Sequence, residues 1–374
     1  MSILQIVAYG VAALIPIGVL YFISTRNMYQ TGSFRVVLVS LLWGLAAFWA
    51  ASTVNSYLWN NEIVVWDTIV RLVAPIEEEI FKALVFIYLF KRINFTYFVD
   101  AAVYGFSIGI GFAVIENFEY ISGLADQAAL SLAISRVIST NLIHASASSI
   151  AGMAFGRARF FNFGRQVRVI AQGLALAMVL HLFFNNLVSS VGGGMLLVYA
   201  AFVGILATWY IIREINSGMR DAKQWIEEKL GMADRVTAGE AAMVNRMSDL
   251  QTLLAPIAAQ FGEQKAGDVE RFLIIQARLG ILRKNLERLQ DEFLLKETRQ
   301  EMDKLREEMD VLRRKVGSYT MMTLRNMFPE NDSPVLARLD NNLIAERLAS
   351  QPASPGGGLW AQLGERASGR SSDE

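Results

Sequence analysis

Residues 98–121 read FVDAAVYGFSIGIGFAVIENFEYI. A helix needs about 20 apolar residues to cross roughly 30 Å of hydrocarbon, so this block reads as a transmembrane span. Towards its end stands Phe112-Ala113-Val114-Ile115-Glu116-Asn117, which places a carboxylate inside the span. Such a group costs about 2.5–3.5 kcal/mol on insertion scales, which makes it a functional candidate by default. The spacing Gly105-Phe106-Ser107-Ile108-Gly109 is a close-packing G-x-x-x-G and implies no chemistry.

Outward from this block the pattern repeats. Apolar stretches cover 3–24, 36–58 and 63–90 before it, and 128–156, 167–188 and 195–212 after it. The fold class is therefore all-α: a polytopic membrane helix bundle of about seven transmembrane helices, over residues 1–212. The first stretch lacks a basic leader and an A-x-A cleavage site, so it reads as a retained helix. Composition agrees, with 53% hydrophobic and 19% charged residues. Lys and Arg fall in alternate loops: Arg26 and Arg35, Lys91 and Arg92, Arg157 to Arg168, then Arg213, Arg220 and Lys223. The loops 59–62, 122–127 and 189–194 carry none. By the positive-inside rule the N-terminus lies outside and the C-terminus in the cytoplasm. Arg71 and Arg136 sit within two over-long stretches and mark the outer interface. The true third and fifth spans start just after them, with 63–70 and 128–135 as interfacial or re-entrant turns.

Four spans carry polar groups. The third holds Pro75-Ile76-Glu77-Glu78-Glu79-Ile80-Phe81-Lys82, whose spacing sets Glu78, Glu79 and Lys82 on one helical face. The fourth holds Glu116 and Asn117; the fifth holds His144, with Thr140, Asn141 and Ser148 a turn away; the sixth holds His181-Leu182-Phe183-Phe184-Asn185. At about 1.5 Å per residue, Glu78, Glu116, His144 and His181 all fall roughly 8–11 Å below the outer surface. A carboxylate beside a neutral imidazole can take a proton from water and make it a nucleophile. A second imidazole and an amide can donate to the oxyanion that forms on an attacked carbonyl. The same side chains can instead hold zinc, with His144, His181, Glu78 and Glu116 as the ligand candidates. Both chemistries are hydrolytic.

Each element also has a plain structural reading: a membrane histidine bridges helices, a Glu–Lys pair is structural, and Glu77 and Glu119 face a polar cavity or the surface. Those readings do not anticipate both histidines of the chain, with clustered acids, on adjacent spans. The absence of cysteine excludes disulfides, thiolate zinc sites and a cysteine nucleophile. No phosphate-loop glycines and no basic aromatic surface point to nucleotide or nucleic acid. A proton-coupled transporter would be expected to show inverted repeats, and none is evident.

The series E-E-I-F-K, F-A-V-I-E-N, a lone His and H-L-F-F-N, over about residues 74–187, resembles the motifs of PrsW-type intramembrane proteases. These belong to the wider superfamily of CAAX proteases and bacteriocin-processing enzymes. The resemblance implies a peptidase of the bacterial cytoplasmic membrane that cuts membrane-anchored or membrane-adjacent proteins, such as an anti-sigma factor. It implies Glu78 and Glu79 as the paired acids, with Glu78 the water-activating base, and Glu116 and Asn117 at the second motif. His144 would assist the base, His181 and Asn185 would stabilise the oxyanion, and Lys82 would support the acids. It leaves the metal open and favours a metal-free glutamate–histidine mechanism over zinc. The alternative is a non-enzymatic membrane sensor or scaffold on a protease-like fold.

Beyond Arg213 the chain turns dense in Glu, Arg, Lys and Gln, giving a cytoplasmic helical region over 213–349. Breaks are expected at Gly231 and Gly239. The seam Phe272, Ile275, Leu279, Leu282, Leu286, Leu289, Phe293 has the rhythm of a coiled coil and continues, shifted, through Leu295, Met302, Leu305, Met309, Leu312 and Val316. It implies either a homodimeric coiled coil or an intramolecular hairpin. Residues 350–374, rich in Pro, Gly and Ser, are expected to be disordered.

Overall fold

The computed structural model describes residues 2–25, 33–92, 95, 98–190, 194–229, 236, 240, 244 and 250–321, and among these it contains helices and short connections but no strand. Helix α1 (Ile3–Ser24) begins in a capping box, with Ser2 Oγ accepting from the Gln5 N–H and Gln5 Oε1 accepting from the Ser2 N–H. Helix α2 spans Phe34–Asn60; the short α3 (Trp66–Thr68) and a π-helical turn (Ile69–Val73) lead into α4 (Ala74–Leu89). Then follow α5 (Phe98–Ile121), α6 (Asp126–Ile138), α7 (Thr140–Ala158), α8 (Phe163–Ser190) and α9 (Gly194–Lys229). Helices α10 (Leu250–Phe261), α11 (Glu263–Arg288) and α12 (Glu292–Val316) complete the described chain.

Five stretches among the described residues are long and apolar enough to cross a membrane: Ile3–Ser24, Phe34–Asn60, Phe98–Ile121, Asp126–Ala158 and Phe163–Ser190. The third expected span is α4, only 16 residues long and carrying Glu77, Glu78, Glu79 and Lys82. The seventh belongs to α9, which runs unbroken through Arg213 to Lys229; the change in charge density there does not interrupt the helix. Residues 128–135, expected as an interfacial or re-entrant turn, are helical in α6, and the chain breaks only at Ser139 (φ −129°, ψ −79°) before α7; Asp126–Ala158 together make one of the five apolar stretches.

The turn before α4 has a local cause. Pro75 has no N–H, so the Arg71 carbonyl four residues before it loses its helical donor. The backbone widens here into the π turn, and the Val70 and Arg71 carbonyls accept instead from Asn185 Nδ2 (3.0 Å) and Asn186 Nδ2 (2.9 Å) of α8. One proline thus fixes the start of α4 against α8.

Helix α5 is the central post, packed on α2 and α7. Small residues allow this. A Cβ on Gly105 would collide with the Ser148 carbonyl, one on Gly109 with the His144 carbonyl, and one on Gly111 with the Leu41 carbonyl. Hydroxyls add bridges, Ser107 to the Val37 carbonyl (2.7 Å) and Ser149 to the Ala102 carbonyl (2.9 Å). The G-x-x-x-G spacing therefore sets the approach of α7 at the very residue that carries His144.

Past α9, α11 and α12 form an antiparallel hairpin. Asp268 pairs with Lys315 (2.6 Å), Arg271 with Glu308 (2.5 Å) and Arg278 with Glu301 (3.5 Å). Phe272, Ile275, Leu279 and Leu282 are buried against Met302, Leu305, Met309, Leu312 and Val316, with Ala222 and Ile226 of α9. The hairpin alternative is the one seen, and the described residues show no coiled coil. Phe293 is exposed and Leu294 takes its place in the core, because Asp291 caps a new helix there and resets the phase. Gly231, Gly239, Arg26 and the expected disordered tail lie outside the described residues.

Candidate active site

The four polar motifs meet inside the bundle. Helix α4 contributes Glu78, Glu79 and Lys82, α5 Glu116 and Asn117, α7 His144, and α8 His181 and Asn185. Glu78, Glu79, Lys82, Asn117, His144 and His181 are buried. Lys82 Nζ sits 2.8 Å from Glu79 Oε1, 2.8 Å from His144 Nδ1 and 3.7 Å from Glu78 Oε2. An ammonium only donates, so His144 Nδ1 carries the lone pair and its Nε2–H faces Glu116 Oε2 at 2.8 Å. His181 Nδ1 is 3.1 Å from Glu79 Oε1, and its Nε2 is 3.8 Å from Glu78 Oε2. The two imidazoles meet edge to face at 4.6 Å. A chain of contacts thus runs from Glu116 through His144, Lys82 and Glu79 to His181.

Phe112 forms the apolar side, 5.1 Å from the His144 ring and 4.0 Å from Lys82 Nζ. A cavity of about 310 Å³ opens beside it. Glu78, Glu116 and Asn185 line this cavity together with Phe112, Asn55 and Tyr120. The other expected residues lie further back. Asn117 donates to Asn141 Oδ1 (2.8 Å), while Asn185 reaches the cavity but also donates to the Val70 carbonyl.

One participant differs from its sequence reading. Arg136, expected only to mark the outer interface, is mostly buried, with NH2 2.8 Å from Glu116 Oε2 and Nε donating to Asn117 Oδ1 at 2.7 Å. Its guanidinium also lies 4.1 Å from the Tyr120 ring. The signal was a lone arginine inside an apolar block, which needs a buried carboxylate as much as the carboxylate needs it.

Glu78, His144 and His181 each offer a ligand atom, and these atoms lie within 4.8 Å of one another. Two imidazoles and one carboxylate are a donor set of the kind zinc hydrolases use. Glu78 Oε2 is buried without a hydrogen-bond partner, as a carboxylate awaiting a cation would be. The group therefore fits a metal ion, provided Lys82 yields the His144 lone pair. Glu116, a fourth ligand candidate from the sequence, faces Arg136 and His144 and is outside the group.

No curated protein and no solved structure matches the chain significantly. Residues 32–211 match the model of the PrsW family intramembrane metalloproteases. That stretch holds α2 to α8 and every residue of the buried Glu–His–His group, so the chain carries a PrsW family intramembrane metalloprotease domain over residues 32–211.

Proposed function

We propose that this domain is an endopeptidase of the bacterial cytoplasmic membrane, cutting membrane-anchored or membrane-adjacent proteins of the anti-sigma-factor kind. The observation that carries the reading is the buried Glu78–His144–His181 group beside a cavity that admits a substrate. The N-terminus lies outside and the C-terminus in the cytoplasm, as the alternation of basic loops requires. Residues 213–349 form the cytoplasmic helical region and 350–374 its tail.

A cavity of about 310 Å³ holds only a few residues of a chain, and the substrate segment enters it unwound. In the glutamate–histidine form of the reaction Glu78 takes the proton of the attacking water and passes it to the leaving amine. Glu116 holds the His144 ring by its Nε2–H and is itself held by Arg136, which leaves Nδ1 directed inward as the acceptor. Glu79 holds His181 by Nδ1–H and keeps the Nε2 lone pair towards Glu78. Lys82 sits among the carboxylates and withdraws from His144 Nδ1 when that atom acts. Asn185 flanks the place where negative charge develops on the attacked carbonyl, while His181, whose one N–H goes to Glu79, presents a lone pair there. Glu78, His144 and His181 would hold the family's metal, which when bound acidifies water and polarises the carbonyl.

The test pairs activity with metal content. Purified wild-type protein is expected to carry one equivalent of zinc or another divalent metal, and His144→Ala, His181→Ala to carry none. Glu78→Gln is expected to lower hydrolysis of a fluorogenic single-span peptide by about 10²–10⁴-fold. Full activity in Glu78→Gln would sink the reading. Activity without metal would keep the peptidase and return the site to glutamate–histidine chemistry.

A further inference from the structure

Helix α2 supplies the cavity with neither a motif residue nor a charge, yet beside Phe48 and Ala51 it presents three polar side chains there. Ser52, Asn55 and Ser56 line the cavity at i, i+3 and i+4, opposite Glu78, Glu116 and Asn185. The hydroxyl of Thr53, by contrast, turns away and bonds its own helix at the Trp49 carbonyl (2.7 Å). Asn55 Oδ1 is buried and has no hydrogen-bond donor, an arrangement that native structures seldom leave in place without a use. Its side chain also neighbours Glu77 of α4, whose carboxylate oxygens are buried without a hydrogen-bond partner.

The spacing fits one kind of ligand. Ser52 and Ser56 are separated by about 6 Å of helix rise. An extended peptide repeats every two residues, about 6.6 Å, so N–H groups along one edge of such a chain match the ladder. An unwound segment away from water needs partners for exactly those groups. Water would satisfy Asn55 as well, but it would not explain the two serines that flank it near the repeat of a strand.

We propose that Ser52, Asn55 and Ser56 form a backbone-binding subsite for the substrate polypeptide, with Asn55 Oδ1 accepting from a peptide N–H next to the scissile bond. This rests on the peptidase reading and adds the wall that presents the chain to Glu78. Neither α2 nor its polar face belongs to the motif series that carries the chemistry.

The test uses the full chain in lipid nanodiscs and fluorescent single-span peptides, bound to Glu78→Gln protein so that no cleavage is required. Adding Asn55→Ala should weaken binding about tenfold, the worth of one hydrogen bond, whereas Thr53→Ala should leave it unchanged. Replacing successive backbone amides of the peptide by esters removes one N–H at a time. At one position the ester should cost wild-type Asn55 the same tenfold and cost Asn55→Ala nothing more. Equal binding by the Asn and Ala proteins, additive losses at every ester position, or no peptide binding to either protein would overturn the subsite. Peptide held through Asn55 but never cut by the wild type would uphold the subsite and sink the peptidase. Cleavage with an unchanged KM in Asn55→Ala would do the reverse.

Discussion

Helices α5 and α12 are nearly equal in length, 24 and 25 residues, and they bury themselves in opposite ways. On α5 every residue from Val99 to Val114 is buried, glycines and Ser107 included. On α12 a single seam is buried, from Leu294 through Thr298, Met302, Leu305, Met309 and Leu312 to Val316, and ion pairs run along its rim. In lipid, apolar surface gains little by meeting apolar surface, so helices associate through small residues and polar bridges. In water the apolar seam itself drives association, and exposed ion pairs contribute about 0–1 kcal/mol. The difference locates function. Most charges on the hairpin lie at its surface, with Arg313 and the buried Glu240 as an exception; the charges of the four motifs lie inside the bundle and face one another.

If the two regions obey separate rules, damage to one should stay there. Leu305→Ala removes a core side chain of the hairpin and is expected to cost it about 2–5 kcal/mol. Limited proteolysis should then cut between α11 and α12 faster, while peptide hydrolysis by the bundle stays within about twofold. Hydrolysis that falls with the hairpin would break the comparison and join the regions into one cooperative unit. A contact exists to carry such coupling, since Ala222 and Ile226 of α9 belong to the hairpin core.

Glycines sharpen the contrast. A side chain on Gly109 would meet the His144 carbonyl and stand 2.5 Å from Ala145 Cα, so Gly109→Val should push α7 outward. The expected cost is about 1–3 kcal/mol, with hydrolysis down about 10²-fold as His144 shifts. Gly280 of the hairpin has Ile226 Cα 3.1 Å from the same position, which a small adjustment relieves. Gly280→Ala also gains up to about 1 kcal/mol of helix propensity, so its net change should stay within about 1 kcal/mol. Thermal unfolding in detergent and peptide hydrolysis read both variants. An active Gly109→Val would mean that the close approach does not set His144.

The sequence disclosed the spans best where nothing interrupts them: residues 3–24 and 98–121 are α1 and α5 to the residue. It blurred the third span, because a π turn leaves no mark in hydropathy and Pro75 alone does not say how the backbone will answer. The convergence of Glu78, Glu116, His144 and His181 was legible because ionisable groups in apolar blocks are few and their depths can be counted. The part Arg136 plays in the site was missed because its partner Glu116 is on another helix, and a basic residue near a span's end is ambiguous without it. The α2 face went unnoticed for the opposite reason: small polar residues are common at helix contacts, so Ser52, Asn55 and Ser56 stand out only once a cavity lies against them. On the hairpin the heptad rhythm was right and its phase slipped by one residue at Phe293, where a cap restarts the helix.

The smallest stability effect belongs to the neighbouring asparagines of α8. Asn186 serves the Arg71 carbonyl and Asn185 the Val70 carbonyl, so each compensates a group that the π turn and Pro75 set free. Removing either amide leaves a carbonyl unserved, and each Ala variant should lose about 1 kcal/mol of stability. Only Asn185 lines the cavity. If it also donates to the developing oxyanion, Asn185→Ala should lower kcat by about 10²-fold or more at unchanged KM, while Asn186→Ala should leave kcat nearly intact. Equal stability losses with equal kcat would make Asn185 a brace for α4 with no part in holding the oxyanion. The pair is a fair control because both amides do the same structural task on adjacent positions, and only one of them faces the substrate.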